Sequence, residues 1–392
     1  MKNNVSGNNK VLMIAYAQYY NDARIKSYVN ALLKSGFSVD VVCLSDPYTT
    51  SANSNNSRLI ITSLQNKYQG NSATLYLINY FSFFVRAFLI VTIKYFRARY
   101  PVVHVHNQPD LLVFCALIPK IFGSRIILDM HDIMIAAILT KFRGIKQRIL
   151  YYAVKIQTQI SVSFCNVLIC ADHSQKEFLN ENGISHASTY VMMNVPDETL
   201  FHRRMSIPNN KELRVIYHGS ISHRLGLDIA IQAVECAAKK IPIKFKIIGN
   251  GEQKEELVAY CTKKGILDSL IYFDDFIPIE QLQKEIEQYD VGIVANRHTL
   301  IGERCMLPVK MMEYLAIGLP VVVPRLEVIV RYFSNKMVSF YEPENIDEMV
   351  SRLIELATDS CLREKQVKNA AEFFQQYNCV NQRNEYLSII QD

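Results

Sequence analysis

The chain has 392 residues, of which 49% are hydrophobic and 20% are charged, and its formal net charge is +6 at pH 7. This length exceeds what one hydrophobic core usually fills, so we expect two domains, and the composition excludes a disordered chain. The modest positive charge suits phosphorylated ligands or an anionic membrane surface. Nucleic-acid binding would call for a concentrated basic stripe, and the sequence shows none of the familiar nucleic-acid motifs, so no nucleic-acid partner is expected.

Short apolar runs rich in β-branched residues alternate with helical segments along the whole chain, which predicts parallel sheets with helices on both faces. In the first half, helices are predicted at Asp22–Ser35 and Asp110–Phe122, each followed by a glycine. The predicted strands of this half are Lys10–Ala15, Val39–Leu44, Leu59–Thr62, Val102–Val105, Arg125–Leu128, Val167–Cys170 and Thr189–Met192.

A second series begins after the loop at 194–197 and the polar stretch 206–210. Each of its strands is followed by a helical pattern, and a last helical stretch, Ala370–Ile390, has no strand after it. The strands are Leu213–Tyr217, Phe245–Gly249, Ile271–Phe273, Val291–Ala295, Pro320–Pro324 and Val338–Tyr341. We therefore predict an α/β protein with two doubly wound domains, over residues 1–200 and 201–370, and a C-terminal helix over 371–392.

Two features bear on the location of the protein. The nine cysteines form no CxxC pair, and several, such as Cys43 and Cys170, lie in apolar runs, which favours buried free thiols in a reducing compartment. Residues 1–9 are polar and lack the apolar core of a signal peptide. The sequence predicts a short disordered tail, an Asn/Ser-rich low-complexity segment at 51–57 and a cytoplasmic protein.

The segment Leu75–Phe96 is the one candidate for membrane contact. It is rich in Phe, Leu, Ile and Val, but Arg86 and Lys94 interrupt it. Since a spanning helix needs about 20 mostly apolar residues without such charges, we expect a helix largely buried against a sheet. A helix lying on a membrane surface is the alternative, because basic and aromatic residues mix in this segment.

Polar side chains gather where the predicted strands of the first half end, and ligands of open α/β sheets bind at such ends. His131 lies between Asp129 and Asp132 directly after the strand Arg125–Leu128. Its protonation would be tuned by these neighbours, so it is a candidate for contact with a ligand, with a purely structural histidine as the alternative.

Two further polar clusters in this half are less specific. His104 and His106 lie at the end of the strand Val102–Val105, and Asp22 and Arg24 follow the first strand. A helix N-cap is the simpler explanation for Asp22 and for Asp110.

The strand ends of the second half carry a different set of residues. Gly219 follows the strand Leu213–Tyr217 and would let the backbone approach a ligand closely, and Arg224 can bind phosphate oxygens near the next helix. Gly249 and Gly251 form a tight turn after the next strand.

The most informative stretch begins at Pro308 and reads as a helix that ends at Gly318, followed by an apolar strand. Lys310 and Glu313 share one face of this helix near its N-terminus. The helix N-terminus and the lysine favour an anion, and the carboxylate can accept hydrogen bonds from two hydroxyls. Phosphate together with vicinal hydroxyls describes a nucleoside diphosphate.

The sequence gives little support for metal chemistry. It contains no HExxH motif, no EF-hand loop and no DxD triplet suited to a magnesium-diphosphate clamp. We therefore expect no metal or other cofactor, and we expect Arg224, Lys310 and helix dipoles to neutralise a departing diphosphate.

These motifs together make the chain resemble the retaining GT-B glycosyltransferases of glycosyltransferase family 4, in particular a bacterial branch. The signature of that branch is matched by Leu307, Pro308, Lys310, Glu313, Tyr314, Gly318, Pro320 and Val321. Further matches lie at residues 21–24, 104–110, 128–132, 193–194, 217–220, 224–228 and 248–252, so the resemblance covers nearly the whole chain. It implies two Rossmann-like domains facing across a cleft, with the C-terminal helix packing back towards the first domain.

The resemblance also implies roles for individual residues. Glu313 would bind the donor ribose, Arg224 and Lys310 the diphosphate, and His131 the transferred sugar. The glycines of the donor side are Gly219, Gly249 and Gly251, and the acceptor side is assigned to Asp22, Arg24, His106 and Asp132. In such enzymes the leaving diphosphate helps to deprotonate the acceptor, so no protein base is required.

Two positions depart from the pattern of the family. Many members carry a glutamate eight residues before the equivalent of Glu313, where this chain has Cys305, and the nearest carboxylate is Glu303. The His-Asp pair is commonly followed by Pro-x-Pro-Glu, whereas this chain has Ile-Met-Ile-Ala at 133–136. The departures therefore concern the contacts to the sugar and the acceptor, whereas the nucleotide contacts follow the family pattern.

We predict a metal-independent hexosyltransferase that takes a nucleotide sugar and a saccharide or polyprenyl-linked acceptor, in bacterial surface polysaccharide synthesis. Peripheral contact with the cytoplasmic face of the inner membrane would suit a lipid-linked acceptor. The alternatives are a GT-B-fold sugar-nucleotide epimerase and a non-catalytic partner that retains nucleotide binding. A nicotinamide dehydrogenase is disfavoured, because the first strand runs into Tyr16 and Ala17 with no GxGxxG.

Overall fold

The computed structural model describes residues 9–45, 56–68, 70, 72–204 and 211–391, and the chain divides into two compact units. The first unit runs to Met193 and also includes the chain from Gln382 onward, and the second is Asn194–Asn381. The predicted N-terminal tail up to residue 8, most of the Asn/Ser-rich segment 51–57 and the polar stretch 206–210 lie outside the described residues.

The first unit is built on a seven-stranded parallel sheet. Its strands are β1 (Lys10–Gln18), β2 (Ser38–Leu44), β3 (Leu59–Ser63), β4 (Val102–His106), β5 (Arg125–Met130), β6 (Val167–Cys170) and β7 (Thr189–Val191). Their order in the sheet is β3-β2-β1-β4-β5-β6-β7. Each was predicted to within three residues at either end, because β-branched runs buried on both faces are distinctive in sequence.

Helices connect these strands. They are α1 (Ala23–Lys34), α2 (Ala73–Ala98), α3 (Leu117–Ile121), α4 (Met134–Lys141), α5 (Gly144–Phe164) and α6 (His173–Glu181), with 3₁₀ turns at Tyr19–Asn21 and Asp110–Ala116. The segment Asp110–Phe122 is therefore not one α-helix as predicted. Its first seven residues are a 3₁₀ helix, and only five residues continue as α3.

The prediction that Leu75–Phe96 is largely buried is wrong. α2 buries one stripe, at Tyr80, Phe83, Ala87, Val91 and Tyr95, and leaves apolar residues on its other side exposed. Within the described residues it is the one helix long and apolar enough to cross a membrane by length and composition, and 22% of its most apolar stretch is buried.

The second unit contains a six-stranded parallel sheet with the order β10-β9-β8-β11-β12-β13 in chain numbering that continues from the first unit. The strands are β8 (Leu213–His218), β9 (Ile243–Ile248), β10 (Ile271–Asp274), β11 (Val291–Ile293), β12 (Val321–Pro324) and β13 (Ser339–Tyr341). The helices are α7 (Leu227–Ala237), α8 (Lys254–Lys264), α9 (Ile279–Ile286), α10 (Leu300–Arg304), α11 (Val309–Ile317), α12 (Glu327–Val330), α13 (Ile346–Thr358) and α14 (Ser360–Gln376).

The end of the chain differs in detail from the single helix expected over 371–392. α14 ends at Gln376, and a separate helix, α15 (Cys379–Gln391), follows. The side chains of Tyr386, Ile389 and Ile390 are buried in the core of the first unit, in the same cluster as residues of α1. The division between the units falls at residue 193, seven residues before the predicted boundary.

Candidate functional site

In the second unit, two neighbouring strands end side by side and their following loops are joined. β8 pairs with β9 as far as His218 and Ile248. The backbone N–H of Gly219 donates to the Ile248 carbonyl at 2.9 Å, and that of Ile221 donates to the Asn250 carbonyl at 2.9 Å. These bonds hold the two predicted ligand loops against each other.

The loops are so close that side chains would not fit between them. A Cβ atom on Gly249 would lie 1.9 Å from the carbonyl oxygen of Gly219, and one on Gly251 would lie 2.1 Å from that of Ile221. Both contacts are far shorter than van der Waals distance and involve backbone. The structure therefore explains these two glycines by the packing of one loop on the other.

Helix α11 carries Lys310 to the same edge of the sheet. Pro308 is its N-cap residue, and Gly318 ends it in the left-handed conformation, as predicted. The Nζ atom of Lys310 lies 3.3 Å from the position that a Cβ on Gly219 would occupy, and 3.7 Å from the centre of the Tyr217 ring. A side chain at residue 219 would therefore press on the lysine.

The ammonium group of Lys310 is buried, and it has no hydrogen-bond partner among the described residues. Burial lowers its pKa to about 7, and the nearby charge of Arg224 lowers it too, while Glu313 acts in the opposite direction. A buried donor without a partner costs roughly 1–3 kcal/mol. An anion bound at this position would supply the missing acceptor and a further negative charge.

Glu313, one turn further along α11, is held by a buried network. The Nε2 atom of His218 lies 2.7 Å from Glu313 Oε2, and its Nδ1 atom lies 2.9 Å from the Tyr314 hydroxyl. The His218 backbone N–H also donates to that hydroxyl at 2.9 Å. Because a carboxylate accepts hydrogen bonds, we assign the ring proton of a neutral His218 to Nε2, which donates to Glu313, and Nδ1 then accepts from the Tyr314 hydroxyl.

Arg224 is exposed in the 3₁₀ turn His223–Leu225, directly before α7. Its Nη1 donates to the sulfur of Met306 at 3.2 Å, a weak acceptor that a phosphate oxygen would readily displace. Arg224, Lys310 and the N-terminus of α11 thus bring positive charge to one place at the end of β8.

Two residues upstream of α11, Cys305 and Glu303, lie in local contacts of the second unit. Cys305 is buried at the end of α10. Glu303 accepts a hydrogen bond from the Glu327 backbone N–H at 2.9 Å and lies 3.3 Å from His298. One oxygen of the carboxylate nearest to Cys305 along the sequence is therefore hydrogen-bonded at the start of α12.

The first unit contains a buried charged cluster centred on Asp129, at the end of β5. Arg24 of α1 binds this carboxylate through two nitrogens, at 2.9 and 2.7 Å, and its third donates to the Met192 carbonyl at 2.7 Å. Burial alone would raise the pKa of Asp129, but the charge of Arg24 holds it well below its usual range. All three guanidinium nitrogens of Arg24 thus have protein acceptors.

Three histidines surround the same carboxylate. His106 Nδ1 lies 3.1 Å from His131 Nε2, which is itself 3.2 Å from Asp129 Oδ2. His104 Nδ1 lies 2.9 Å from the hydroxyl of Tyr386 on α15. Burial lowers the pKa of His104 and of His106, so both are neutral near pH 7. Of the three, only His131 is partly exposed.

This cluster does not favour a metal. Ligating atoms of His104, His106 and Asp129 lie within 4.8 Å of one another. Both oxygens of Asp129, however, already accept hydrogen bonds from Arg24, and its positive charge would repel a cation. We therefore interpret the cluster as a hydrogen-bonded support for His131.

The remaining predicted residues of the first unit have separate roles. Asp22 accepts a hydrogen bond from the Ile25 backbone N–H at 3.0 Å, so its N-cap explanation is confirmed. That explanation is wrong for Asp110, which is buried and accepts hydrogen bonds from Asn107 and Thr158. Asp132 is exposed.

Sequence reasoning missed several residues on which the candidate sites depend. Asn107 binds the loop that carries His131, since its Oδ1 accepts from the His131 backbone N–H at 2.7 Å. His218 and Tyr314 were noted only as family matches, although they orient Glu313. The positions of these residues along the chain do not indicate that His218 contacts both Glu313 and Tyr314.

The second unit resembles a known protein family. Residues 199–373 match the family model described as "Glycosyl transferases group 1". Among curated proteins, the uncharacterized glycosyltransferase MJ1607 of Methanocaldococcus jannaschii is 20% identical over 210 residues, which is 53% of this chain and 52% of that protein. The amylovoran biosynthesis glycosyltransferase AmsK of Erwinia amylovora is 25% identical over 144 residues, 34% of this chain and 35% of that protein. The chain thus matches about half of the first relative and a third of the second.

Solved structures resemble the chain over nearly its full length. A sucrose-phosphate synthase from Thermosynechococcus elongatus has a TM-score of 0.78 at 13% identity and covers 97% of this chain and 98% of its own. Anabaena Alr3699/HepE, solved in complex with UDP and glucose, has a TM-score of 0.74 at 12% identity and covers 97% and 99%. At such identities the likeness shows the fold, and the predicted GT-B fold is confirmed.

Proposed function

We propose that this chain, whose residues 199–373 are a glycosyl transferases group 1 domain on a GT-B fold, transfers a sugar from a nucleotide sugar to a saccharide or lipid-linked saccharide. The observation that carries the proposal is the buried ammonium of Lys310, which lacks a hydrogen-bond partner among the described residues and lies at a helix N-terminus beside Gly219. Such a group suits the diphosphate of the donor.

The neighbouring residues complete a nucleotide site under this proposal. Glu313, oriented by His218, accepts hydrogen bonds from the two ribose hydroxyls, one turn beyond the lysine that meets the phosphates. Arg224 adds a guanidinium for the phosphate oxygens. His131, supported by Asp129, is the proposed contact to the transferred sugar.

Transfer proceeds with retention and without a metal in this proposal. The bond between the anomeric carbon and the diphosphate breaks, and its electron pair leaves on the phosphate oxygen. The acceptor hydroxyl forms the new bond on the same face of the sugar and gives its proton to that leaving oxygen. Lys310, Arg224 and the α11 dipole stabilise the charge that develops there, which is electrostatic catalysis.

The names of two relatives support a proposal for the biological setting. AmsK of Erwinia amylovora is named for amylovoran biosynthesis, and WcaL of Salmonella typhimurium is a putative colanic acid biosynthesis glycosyltransferase. Both names refer to surface polysaccharides. These names support our proposal that the protein acts in bacterial surface polysaccharide synthesis.

The first experiment is a thermal-shift screen across UDP-, GDP-, dTDP- and ADP-sugars, followed by donor hydrolysis and transfer assays with the best ligand. We expect Lys310→Ala and Glu313→Ala each to lower turnover by at least about 100-fold while the proteins remain folded. Wild-type turnover in both variants would exclude the assignment. Lys263→Ala and Glu255→Ala, exposed residues of α8, are the matched controls and should leave turnover unchanged.

The ribose contact is tested separately with the 2′,3′-dideoxy form of the best nucleotide. Wild-type protein should bind this analogue about tenfold more weakly than the parent nucleotide, because Glu313 loses its hydroxyl partners. Glu313→Ala should bind both alike. Equal affinities in the wild type would rule out Glu313 as the ribose ligand.

A sugar-nucleotide epimerase is separated from a transferase by the same samples. NMR of the donor incubated without acceptor would show an isomerised sugar if the chain were an epimerase. Such a reaction needs proton-transfer groups at the sugar, whereas our proposal assigns the carboxylate of Glu313 to the ribose. Tight nucleotide binding with no transfer to any acceptor tested would instead favour the non-catalytic alternative.

A further inference from the structure

The outer side of α2 is apolar and exposed to solvent. Its buried stripe packs inside the first unit, while Leu77, Phe81, Val85, Leu89 and Phe96 lie on the other side and are at least one-third exposed. A soluble protein rarely leaves a row of large apolar residues uncovered, because this surface favours leaving water.

Helix α5 shows the same feature independently. Ile145 is 81% exposed and Ile149 64%, and Tyr152, Ile156 and Ile160 continue the row at helical spacing. The intervening segment adds Leu117, Ile121 and Phe122, which are exposed as well. Apolar exposure is therefore common to three successive segments of the chain.

The topology places these segments in one layer. In the strand order β3-β2-β1-β4-β5-β6-β7, the connections from β3 to β4, β4 to β5 and β5 to β6 all progress in the same direction across the sheet. Right-handed crossovers therefore put α2, α3 and α5 on one face, and α1 on the other. Contacts agree, since the rings of Phe96 and Phe122 lie 5.5 Å apart, and those of Phe114 and Phe164 lie 4.9 Å apart.

The charge of this layer is strongly one-sided. Helices α2, α3, α4 and α5 contain no Asp or Glu. Residues 73–165 hold eleven Lys and Arg but only three acidic residues, of which Asp110 and Asp129 are buried. The segment therefore carries +8, more than the +6 of the whole chain. Its exposed basic residues are Arg86, Arg97, Arg99, Lys141, Arg143, Lys146 and Arg148.

This combination of charge and apolar exposure selects among the surfaces that could cover the layer. A second copy of the chain would bring two basic, acid-free faces together, which is repulsive. Insertion of α2 across a membrane would strip its buried stripe, including Phe83 and Val91, out of the first unit. An anionic lipid surface satisfies both properties, because apolar side chains enter the interface and basic ones meet the head groups.

We propose that the outer face of α2, α3 and α5, here called the basic apolar face, lies on an anionic membrane. The assignment is independent of the transfer activity, since none of its residues belongs to the candidate nucleotide site. Membrane contact of this kind would bring the protein to acceptors that are anchored in lipid.

Vesicle flotation of the full-length protein tests the proposal. Vesicles of phosphatidylcholine and phosphatidylglycerol in equal parts are compared with pure phosphatidylcholine, at low salt and at about 0.5 M NaCl. We expect the mixed vesicles to bind the wild type at least about tenfold more strongly than neutral ones, with binding weakened by salt. No binding to the mixed vesicles would overturn the proposal.

Two double variants separate the apolar contribution to vesicle binding from the contribution of charge. Ile145→Ser with Ile149→Ser removes apolar contact, and Lys146→Glu with Arg148→Glu reverses charge, all at exposed positions of α5. Each should lower binding to mixed vesicles about tenfold. The matched controls, in the second unit, are Phe276→Ser, at a residue 71% exposed, and Lys239→Glu with Lys240→Glu.

The possible outcomes distinguish the proposal from its rivals. Unchanged vesicle binding by both α5 variants would overturn it, as would equal losses in the control variants. A wild-type dimer that the α5 variants dissociate, without vesicle binding, would assign the face to a second copy of the chain. An unchanged melting temperature and an unchanged thermal shift with nucleotide sugar show that each variant is folded, so failure here is distinct from failure of the proposed function.

Discussion

Lys310 illustrates how a residue becomes a ligand site through its surroundings. The helix α11 and the loop at Gly219 bury the amine, and the Tyr217 ring covers it. Burial disfavours the charged form, so the pKa of the side chain falls to about 7. The sequence predicted a lysine near a helix N-terminus, but only the packing showed that its Nζ atom is buried without a hydrogen-bond partner among the described residues.

This pKa leads to a prediction about donor binding. A bound diphosphate raises the pKa of Lys310, so binding takes up a proton wherever the free amine is neutral. Affinity should be fully present below about pH 7 and should weaken as the pH rises above it, by up to about tenfold per unit until the pKa of the bound state is reached. Calorimetry with UDP-glucose or another bound nucleotide sugar between about pH 6 and pH 9 measures this, because the esterified diphosphate does not titrate there.

Lys310→Met supplies the control for that titration. Its affinity should be low and nearly independent of pH over the same interval. If the variant retained the slope of the wild type, another group would be responsible. The stability of the free protein should show the opposite trend and rise above about pH 7, because the unfolded lysine still binds the proton that the folded one has released.

The cluster around Asp129 shows the limit of residue-scale inference. The run from Asp129 to Asp132 indicated a polar site at a strand end, and the strand end was found where expected. The sequence did not show that Arg24, 105 positions earlier, binds both oxygens of Asp129. The sequence is equally consistent with an Arg24 that binds an acceptor and with an Arg24 that is a buried counter-ion. The folded structure, in which α1 and β5 come together, distinguishes the two roles.

At the scale of elements, the loops after β8 and β9 are joined by backbone hydrogen bonds at the edge of the proposed nucleotide site. Gly249 was predicted as a position where backbone meets ligand. In the structure the neighbouring atom is the carbonyl of Gly219, so the close approach is between two loops of the protein. Spacing alone predicts a tight turn, whereas the partner of the turn is decided by strand order.

This packing makes Gly249→Ala a sharp test. Its methyl group would collide with backbone, so we expect a loss of about 3 kcal/mol or more in the free energy of unfolding, with loss of nucleotide binding. Gly265→Ala is the matched control, since Gly265 also has a positive φ, +69°, but its Cβ would meet nothing within 4 Å. That variant should cost about 1–2 kcal/mol and leave nucleotide binding unchanged. Urea unfolding monitored by circular dichroism gives both values, and equal costs would refute the loop-packing explanation.

Helix α2 shows why burial is harder to predict than secondary structure. Its composition favoured a buried helix, and its helical state was recognised correctly. The number of apolar residues could not show that one stripe suffices to cover the sheet and that the other remains in solvent. Which side of the helix is buried depends on which layers of the unit pack against it.

At the scale of the whole molecule, the chain leaves the first unit near Met193 and returns to it at Gln382. The returning helix α15 places Tyr386 in van der Waals contact with Tyr28, at a ring distance of 4.3 Å, and against His104. The end of the chain therefore supports the core that lies behind the histidine cluster.

We predict that Tyr386→Ala destabilises the first unit by about 3–5 kcal/mol, since a large, fully buried ring is removed. Thermal unfolding should show an earlier transition that nucleotide does not shift, whereas the transition of the second unit should still rise with nucleotide. The exposed Val380→Ala in the same helix is the control and should leave both transitions in place. Loss of nucleotide binding by Tyr386→Ala at a temperature below both transitions would contradict the prediction that the second unit binds nucleotide independently.

The sequence by itself determined the two parallel sheets, the bounds of their strands and the helix that carries Lys310 and Glu313, because these depend on local patterns of apolar residues, prolines and glycines. The tertiary structure decided which residues meet: His218 with Glu313, Arg24 with Asp129, and Gly249 with Gly219. It also decided that the Nζ atom of Lys310 is buried and that the outer side of α2 is exposed. Those outcomes depend on strand order and on the packing of helices against a sheet, and the spacing of residues along the chain specifies neither.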